Sequence, residues 1–229
     1  MSLPSAPQRY CAIIPCFNEG HSIARIVRGA REHVDTVIVV DDASEDDTVE
    51  QAHSAGAIVV RHACNQGKGV ALKTGFRFAS SRGFAAAITL DGDGQHDTTE
   101  IPLFCEAFSA GGCDLVLGNR MNDTAPMPRV RRVTNRLTSW MISRMVGCSI
   151  SDTQCGFRMI SLQFWNATRL DSSRFDLESE ILIKAVRAGA RLKEVRVRTI
   201  YFGTGESKIN PVTDTLRFVH LLWRCRVSS

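Results

Sequence analysis

Ala85-Ala86-Ala87-Ile88-Thr89-Leu90 runs without a break into Asp91-Gly92-Asp93-Gly94-Gln95, and the fold turns on that junction. A short apolar run of this length reads as a buried strand, the kind that a parallel sheet covers on both faces. Two carboxylates at i and i+2 share one side if the chain stays extended, and the glycines between them leave room for a bulky ligand. This is an arrangement for a hard cation. Mg²⁺ or Mn²⁺ takes one or two protein carboxylates and fills its other positions with water and substrate phosphates, so Asp91 and Asp93 are candidate ligands and a nucleoside diphosphate would complete the shell. A calcium loop is excluded, because its sixth position would be His96 instead of glycine and its twelfth Pro102 instead of glutamate. A plain solvated acidic turn fits less well, because the acids directly follow a buried strand.

Working outward, strand-length runs alternate with stretches of helical period, the signature of an α/β sheet built by successive crossovers. Strands are expected at Tyr10 to Pro15, Thr36 to Val40, Ala57 to Arg61, Ala85 to Leu90 and Asp114 to Gly118, with a late half-exposed strand marked by Leu192, Val195 and Val197. Helices are expected at Ser22 to Glu32, from Ser44 and Asp47 to about Ala55, and at Gly67 to Ser81, Ile101 to Ala110, Val130 to Val146, Leu177 to Ala188 and Pro211 to Arg226. The second strand also ends on acids, Asp41-Asp42. Ligands of open α/β sheets collect at the carboxyl ends of strands, so the two acidic ends are expected to face one crevice. No linker, repeat or low-complexity tract divides the chain, and one domain is expected.

Composition narrows the class further. At 229 residues, 44% hydrophobic and 23% charged, disorder, a collagen and a mini-protein are excluded. No apolar run approaches the roughly 18 residues of a membrane span, and Met1 to Arg9 lacks the apolar centre of a secretory leader. Eight cysteines without a Cys-x-x-Cys pair read as reduced, packed thiols in a cytoplasmic protein. A net charge of +4 permits an anionic partner and gives no case for nucleic acid.

Asn65-Gln66-Gly67-Lys68-Gly69-Val70-Ala71 would either wrap a phosphate with backbone amides and Lys68 at a helix start, where the dipole favours anions, or serve as a flexible entry to an ordinary helix, with nothing in the residues to choose between them. Neither the P-loop spacing nor Gly-x-Gly-x-x-Gly is present. Between Gly118 and Arg144 lie Arg120, Arg129, Arg131, Arg132, Arg136 and Arg144 against one acid, Asp123. Planar guanidinium donors suit phosphate, and Arg120, beside a strand end, is the functional candidate among them. The six histidines show no metal-ligand spacing, and His96 reads as a supporting residue. No Gly-x-Ser-x-Gly elbow suggests covalent hydrolysis.

Pro15-Cys16-Phe17-Asn18-Glu19, Val39 to Thr48, Asn65 to Gly75 and Asp91 to His96, in that order and spacing, resemble the family 2 glycosyltransferases. Gly118-Asn119-Arg120, Ser151 to Arg158 and Gly205-Glu206-Ser207-Lys208 narrow the likeness to the branch that contains dolichol-phosphate mannose synthase. The resemblance implies a GT-A fold, with a mostly parallel Rossmann-like central sheet flanked by helices. It also implies inverting transfer of a sugar from a nucleotide donor, GDP-mannose or a UDP-hexose, to a polyprenyl phosphate. Carried over, Pro15, Phe17, Asn18, Glu19, Asp41 and Asp42 would hold the nucleoside, and Asp91, Gly92 and Asp93 the ribose and diphosphate. Asp93 and Gln95, with Asp91, would ligate Mg²⁺ or Mn²⁺. Arg120 and Lys208 would grip phosphates, and Arg132 with Asn135 would meet the acceptor phosphate. Residues 1–118 would form the nucleotide-binding half and 119–229 the acceptor-binding half. Tyr201-Phe202 stands where an arginine often precedes the Gly-x-Ser-Lys segment in the mannose enzymes, which leaves the sugar open. Many relatives append membrane helices, whereas this sequence leads to an expectation of peripheral contact.

A departing diphosphate carries negative charge, which a divalent ion with Arg120 and Lys208 would stabilise. A phosphate acceptor, with a second pKa near 6, is already nucleophilic at neutral pH. A hydroxyl acceptor would need a base, with Asp152, Glu178 or Glu180 as candidates. A non-catalytic sugar-nucleotide-binding protein is the alternative of another class, and a nucleotidyltransferase lacks its arginine-bearing glycine-rich entry. The last helix, with Leu216, Val219, Leu222 and Trp223 beside Arg217, Arg224 and Arg226, suits an anionic lipid surface, the core or a dimer contact.

Overall fold

A computed structural model describes residues 8–122, 124, 127–172 and 176–200. The expected Pro211 to Arg226 helix, Tyr201-Phe202 and Lys208 lie outside these residues. In chain order the elements are β1 (Tyr10–Cys16), α1 (Gly20–Arg31), β2 (Thr36–Asp41), α2 (Thr48–Ser54), β3 (Ile58–Arg61), α3 (Lys68–Ser81), β4 (Ala86–Thr89), α4 (Ile101–Ser109), β5 (Leu115–Asn119), α5 (Arg129–Val146), β6 (Arg158–Ser161), α6 (Leu162–Ala167), α7 (Asp176–Arg187) and β7 (Leu192–Arg196).

All seven strands form one sheet in the order β3-β2-β1-β4-β6-β5-β7. The β1–β2, β2–β3, β1–β4 and β5–β7 pairs are parallel, and β6 runs antiparallel between β4 and β5. Strands β1, β2, β4 and β5 are buried over nearly their whole length because both faces of the sheet are covered there. Ala12, Ile14, Val37 and Val39 pack with Ile23 and Ile26 of α1 and with Ile101 and Phe104 of α4. Cys11, Ile13, Ile38 and Val40 face the other way, towards Ala71, Leu72 and Phe76 of α3 and Leu177 and Ile181 of α7. Each fully buried aliphatic side chain of this kind contributes about 1.5–3 kcal/mol. Helix α3 sits close on the sheet because Gly75 has no side chain, and a Cβ there would lie 2.4 Å from Cγ2 of Ile13.

Two elements were not expected from the sequence, β6 and α6. Strand β6 is four residues long and begins with an arginine, so it shows neither alternation nor an apolar run. Its Arg158 is fully buried and donates to the carbonyls of Cys155 (2.7 Å), Thr153 (2.8 Å) and Glu178 (2.6 Å). Buried charge is tolerated when its donors are satisfied in this way. Helix α6 is one short piece capped by Ser161, whose side chain accepts the N–H of Phe164 at 3.3 Å. Among the described residues no helix is long and apolar enough to cross a membrane.

Candidate active site

The strand order reverses at β1, with β2 on one side and β4 on the other. Ligand crevices form at such switch points, beyond the carboxyl ends of the strands. Because β2, β1 and β4 are parallel, Asp41-Asp42, Pro15-Cys16 and Asp91-Gly92-Asp93 all emerge on the same sheet edge. The expected meeting of the two acidic ends is what the topology produces. Gly92 is required there, since a Cβ would lie 2.9 Å from Sγ of Cys16 and 3.1 Å from Cγ of Glu19.

The segment after β2 builds the turn after β1. The N–H of Asn18 donates to Oγ of Ser44 (2.9 Å), that of Glu19 to Oγ1 of Thr48 (2.8 Å) and that of Gly20 to Oδ2 of Asp46 (3.0 Å). Asn18 holds a positive φ of 56°, a conformation in which asparagine is several-fold enriched, and its Oδ1 accepts the N–H of Glu45 at 2.9 Å. Asp41 is buried against the Arg61 guanidinium, 3.2 Å away. Asp42, also buried, receives the His62 ring (2.7 Å) and the N–H groups of Gln66 (2.9 Å) and Gly67 (2.7 Å). It thereby fixes the loop that opens α3, which enters through a positive φ of 92° at Gly67. Of the nucleoside-contact candidates, Pro15 is buried in β1, and Phe17 stands at the rim as an exposed aromatic.

Lys68, the first residue of α3, crosses to the second acidic end. Its Nζ lies 2.6 Å from Oδ1 of Asp91 and 3.3 Å from both carboxylate oxygens of Glu178 on α7. Burial raises the pKa of Asp91, but the Lys68 ammonium, with His96 and Arg120, outweighs it and holds that carboxyl well below the usual range. Burial would likewise depress Lys68, and Asp91 and Glu178 lift it above its ordinary value. At neutral pH this is a fixed ion pair. Gly156 admits the cluster, because a Cβ there would lie 3.0 Å from Asp91 and 3.1 Å from Glu178.

Asp93 stands differently. Burial and the Asp91 charge push its carboxyl up, and its Oδ1 accepts one N–H, from Gln95, at 2.9 Å. His96 is buried, stacks on Phe157 at 5.1 Å and accepts the N–H of Asp91 on Nδ1 at 3.1 Å. Its proton therefore resides on Nε2, and burial pushes its pKa down. His96 shapes the loop from beneath, in line with its expected supporting part.

Arg120 follows β5 and is buried. Its Nε and Nη2 donate to the two oxygens of Asp152 at 2.7 and 3.0 Å, and its N–H to the same carboxylate at 3.2 Å. Asp152 also receives Nδ2 of Asn135 from α5 at 2.9 Å and the N–H of Gln154 at 3.1 Å. Burial alone would raise the pKa of Asp152, and these donors, Arg120 foremost, lower it instead. A carboxylate so held is a poor proton acceptor, which counts against Asp152 as a general base; Glu178, paired with Lys68, is no better placed. Arg131 of α5 reaches Oε1 of Gln95 at 3.5 Å, and Arg132 lies half-buried one residue on.

The structure thus brings Asp91, Gly92, Asp93, Lys68, Glu19 and Gln95 to one crevice, with Arg120, Asp152 and Asn135 as a connected clamp beside it. Three contacts add to the expected roles: Asn135 donates to Asp152, Arg120 binds Asp152 through Nε, Nη2 and its backbone N–H, and Asp91 is paired with Lys68. Arg158, Gly156 and Arg131 were not singled out by role. A buried arginine looks the same in sequence as a solvated one, and the only signal was that Arg158 and Gly156 fall in the Ser151 to Arg158 segment.

Could the acids hold a cation? Among the described residues no cluster of three or more His, Cys, Asp or Glu side chains is arranged to do so. The donor set nevertheless fits a hard ion completed by substrate. Asp93 is a partly buried carboxylate with unneutralised charge, next to a second carboxylate whose present partner is an ammonium.

A family model described as glycosyl transferase family 2 matches residues 11–165. An undecaprenyl-phosphate mannosyltransferase of Micrococcus luteus is 29% identical, covering 88% of this chain and 88% of its own. A UDP-N-acetylglucosamine–dolichyl-phosphate N-acetylglucosaminyltransferase of Methanococcus voltae is 28% identical, covering 82% and 84%. The crystal structure of glucosyl-3-phosphoglycerate synthase from Mycobacterium tuberculosis with Mn²⁺, UDP and phosphoglyceric acid shares the fold. Its TM-score is 0.74 at 19% identity, over 97% of this chain and 78% of that one.

Proposed function

The chain belongs to glycosyl transferase family 2 and is a glycosyltransferase; from that premise we propose that it moves a sugar, with inversion, from a nucleoside diphosphate donor to a polyprenyl phosphate. Residues 1–118 serve the donor and residues 119–229 the acceptor. The observation that carries the acceptor assignment is the Arg131 to Gln95 contact, which sets the acid-free, arginine-rich start of α5 against the loop that bears Asp91 and Asp93. Two relatives named for different sugars and for polyprenyl phosphate acceptors support the same class.

In this reading Asp91, Asp93 and Gln95 would hold Mg²⁺ or Mn²⁺ together with the donor diphosphate. The cation would supply charge neutralisation for the leaving group. Phe17 packs on the base, and Asp41 and Asp42 fix the walls of the base pocket. Arg120, set in place by Asp152, faces the charge that develops between the sugar and the diphosphate. Lys208 joins Arg120 on the departing diphosphate, and Arg132 meets the acceptor phosphate. The acceptor oxygen forms its bond to the anomeric carbon as the bond to the diphosphate breaks, and because the phosphate is already anionic no protein base is required. The lowered pKa of Asp152 favours this over a hydroxyl acceptor.

The test is transfer from labelled GDP-mannose, UDP-glucose and UDP-N-acetylglucosamine, with Mn²⁺, to undecaprenyl or dolichyl phosphate. Label extracted into organic solvent, and lost with EDTA, is expected for one donor. Label that reaches only a hydroxyl acceptor, or donor bound without turnover, would overturn the acceptor assignment or the catalytic one respectively.

A further inference from the structure

Among the described residues seven large apolar side chains are exposed, and four of them lie on α5: Val130 (80%), Val133 (65%), Leu137 (54%) and Trp140 (63%). Their spacing of three, four and three residues puts them in one stripe. At 3.6 residues per turn the stripe spans about 80° and is centred roughly opposite the face that carries Asn135, Ser139 and Ile142, the buried residues of this helix. The chain has therefore built an exposed apolar face on a helix whose opposite face is already packed.

Charge selects what covers it. Helix α5 carries Arg129, Arg131, Arg132, Arg136 and Arg144 and no acid. Arg129 and Arg136 border the stripe and Arg144 continues its line, all three exposed. In a symmetric pair of such helices, arginines would meet arginines around a seam of four side chains, so a second copy is disfavoured. An anionic bilayer surface offers both an apolar layer for Val130, Val133, Leu137 and Trp140 and headgroup charge for the arginines, and tryptophan favours that boundary.

We propose that α5 is the membrane-docking element, lying in the plane of an anionic bilayer with Val130, Val133, Leu137 and Trp140 inserted. This rests on the polyprenyl-phosphate reading of the site and deepens it. The buried face of the same helix holds Asp152 through Asn135 and reaches Gln95 through Arg131, so docking sets the acceptor clamp against the headgroup layer, where a lipid phosphate resides.

The experiment uses the full chain and vesicles of phosphatidylcholine with about 30% phosphatidylglycerol, the anionic component that attracts basic helices, without donor or acceptor. Flotation is expected for the wild type, with Trp140→Phe removing the blue shift and the quenching by spin-labelled lipid. The double variant Val133→Ser/Leu137→Ser is expected to bind at least about tenfold more weakly, while its circular dichroism and melting are unchanged because both sites are exposed. Quenching that survives Trp140→Phe and vanishes in Trp223→Phe would place the contact in the C-terminal segment and overturn the proposal. So would undiminished flotation of the double variant, or a dimer in solution that it converts to monomer. Vesicle binding is read without turnover, so an enzyme that docks through α5 but does not glycosylate polyprenyl phosphate would refute the acceptor reading alone.

Discussion

Asp42, at the end of β2, receives the His62 ring and the N–H groups of Gln66 and Gly67, whereas Asp93, beyond the end of β4, receives the N–H of Gln95 and faces the charge of Asp91. Both are aspartates at the carboxyl edge of one parallel sheet. The difference is in what the protein supplies. Around Asp42 each partner is a donor fixed by the fold, so the carboxylate holds structure together. Around Asp93 the protein leaves charge uncompensated, which costs stability and which, in the proposed reading, a cation would relieve. An acid that the fold satisfies is a brace; one that it leaves unsatisfied is a candidate for binding.

Asp93→Ala tests the contrast most severely. Transfer is expected to fall by about 1,000-fold or more, the scale on which preorganised electrostatic stabilisation acts, while the melting temperature of the metal-free protein stays level or rises, because repulsion with Asp91 is removed. Asp42→Ala should do the reverse. It leaves the N–H groups of Gln66 and Gly67 without their acceptor and the His62 ring without its hydrogen-bond partner, a loss of about 3 kcal/mol or more by denaturant titration. Equal destabilisation by the two variants would erase the distinction.

The same contrast explains what could be read in advance. The strands β1, β2 and β4 were legible because burial on both faces forces apolar runs, and the acids that end β2 and β4 were legible as sites because carboxylates rarely follow such runs without a purpose. Whether Asp42 or Asp93 was the brace was not legible, since it depends on Gln66, Gly67 and His62 arriving from elsewhere in the chain. Arg120 and Asp152 were each visible as functional candidates, yet their mutual bidentate contact joins residues 32 positions apart and carries no local pattern. Strand β6 was missed for a related reason, since Arg158 is buried by carbonyls that only the folded chain assembles.

Arg120→Lys probes the clamp, with an expected smaller effect. A lysine keeps the charge but cannot span both oxygens of Asp152, so a loss of about 10- to 100-fold in transfer is expected from misplacement of the charge. The pH profile of kcat/KM should keep its shape, because Asp152 positions and does not take up the proton. A profile that loses an ionisation in Asp152→Asn would instead restore the general base and with it a hydroxyl acceptor.

Glu180 on α7 places a third acid in the comparison, buried and on the side of Asp42. Its carboxylate accepts the N–H groups of Asp171 (3.1 Å) and Ser172 (2.7 Å) and lies 2.7 Å from Nζ of Lys184. Burial would raise its pKa, but the Lys184 and backbone donors prevail and lower it. A carboxylate with a depressed folded-state pKa adds stability that is present above its unfolded value, near 4.3, and is lost as the pH falls through the folded value. Glu180→Gln should therefore cost about 2 kcal/mol at pH 7, and the gap from the wild type should close in urea melts taken at successively lower pH below about 4. A gap that holds constant or widens on acidification would mean that Glu180 is not sustained as a charged brace, and that the sheet edge and α7 do not follow one rule.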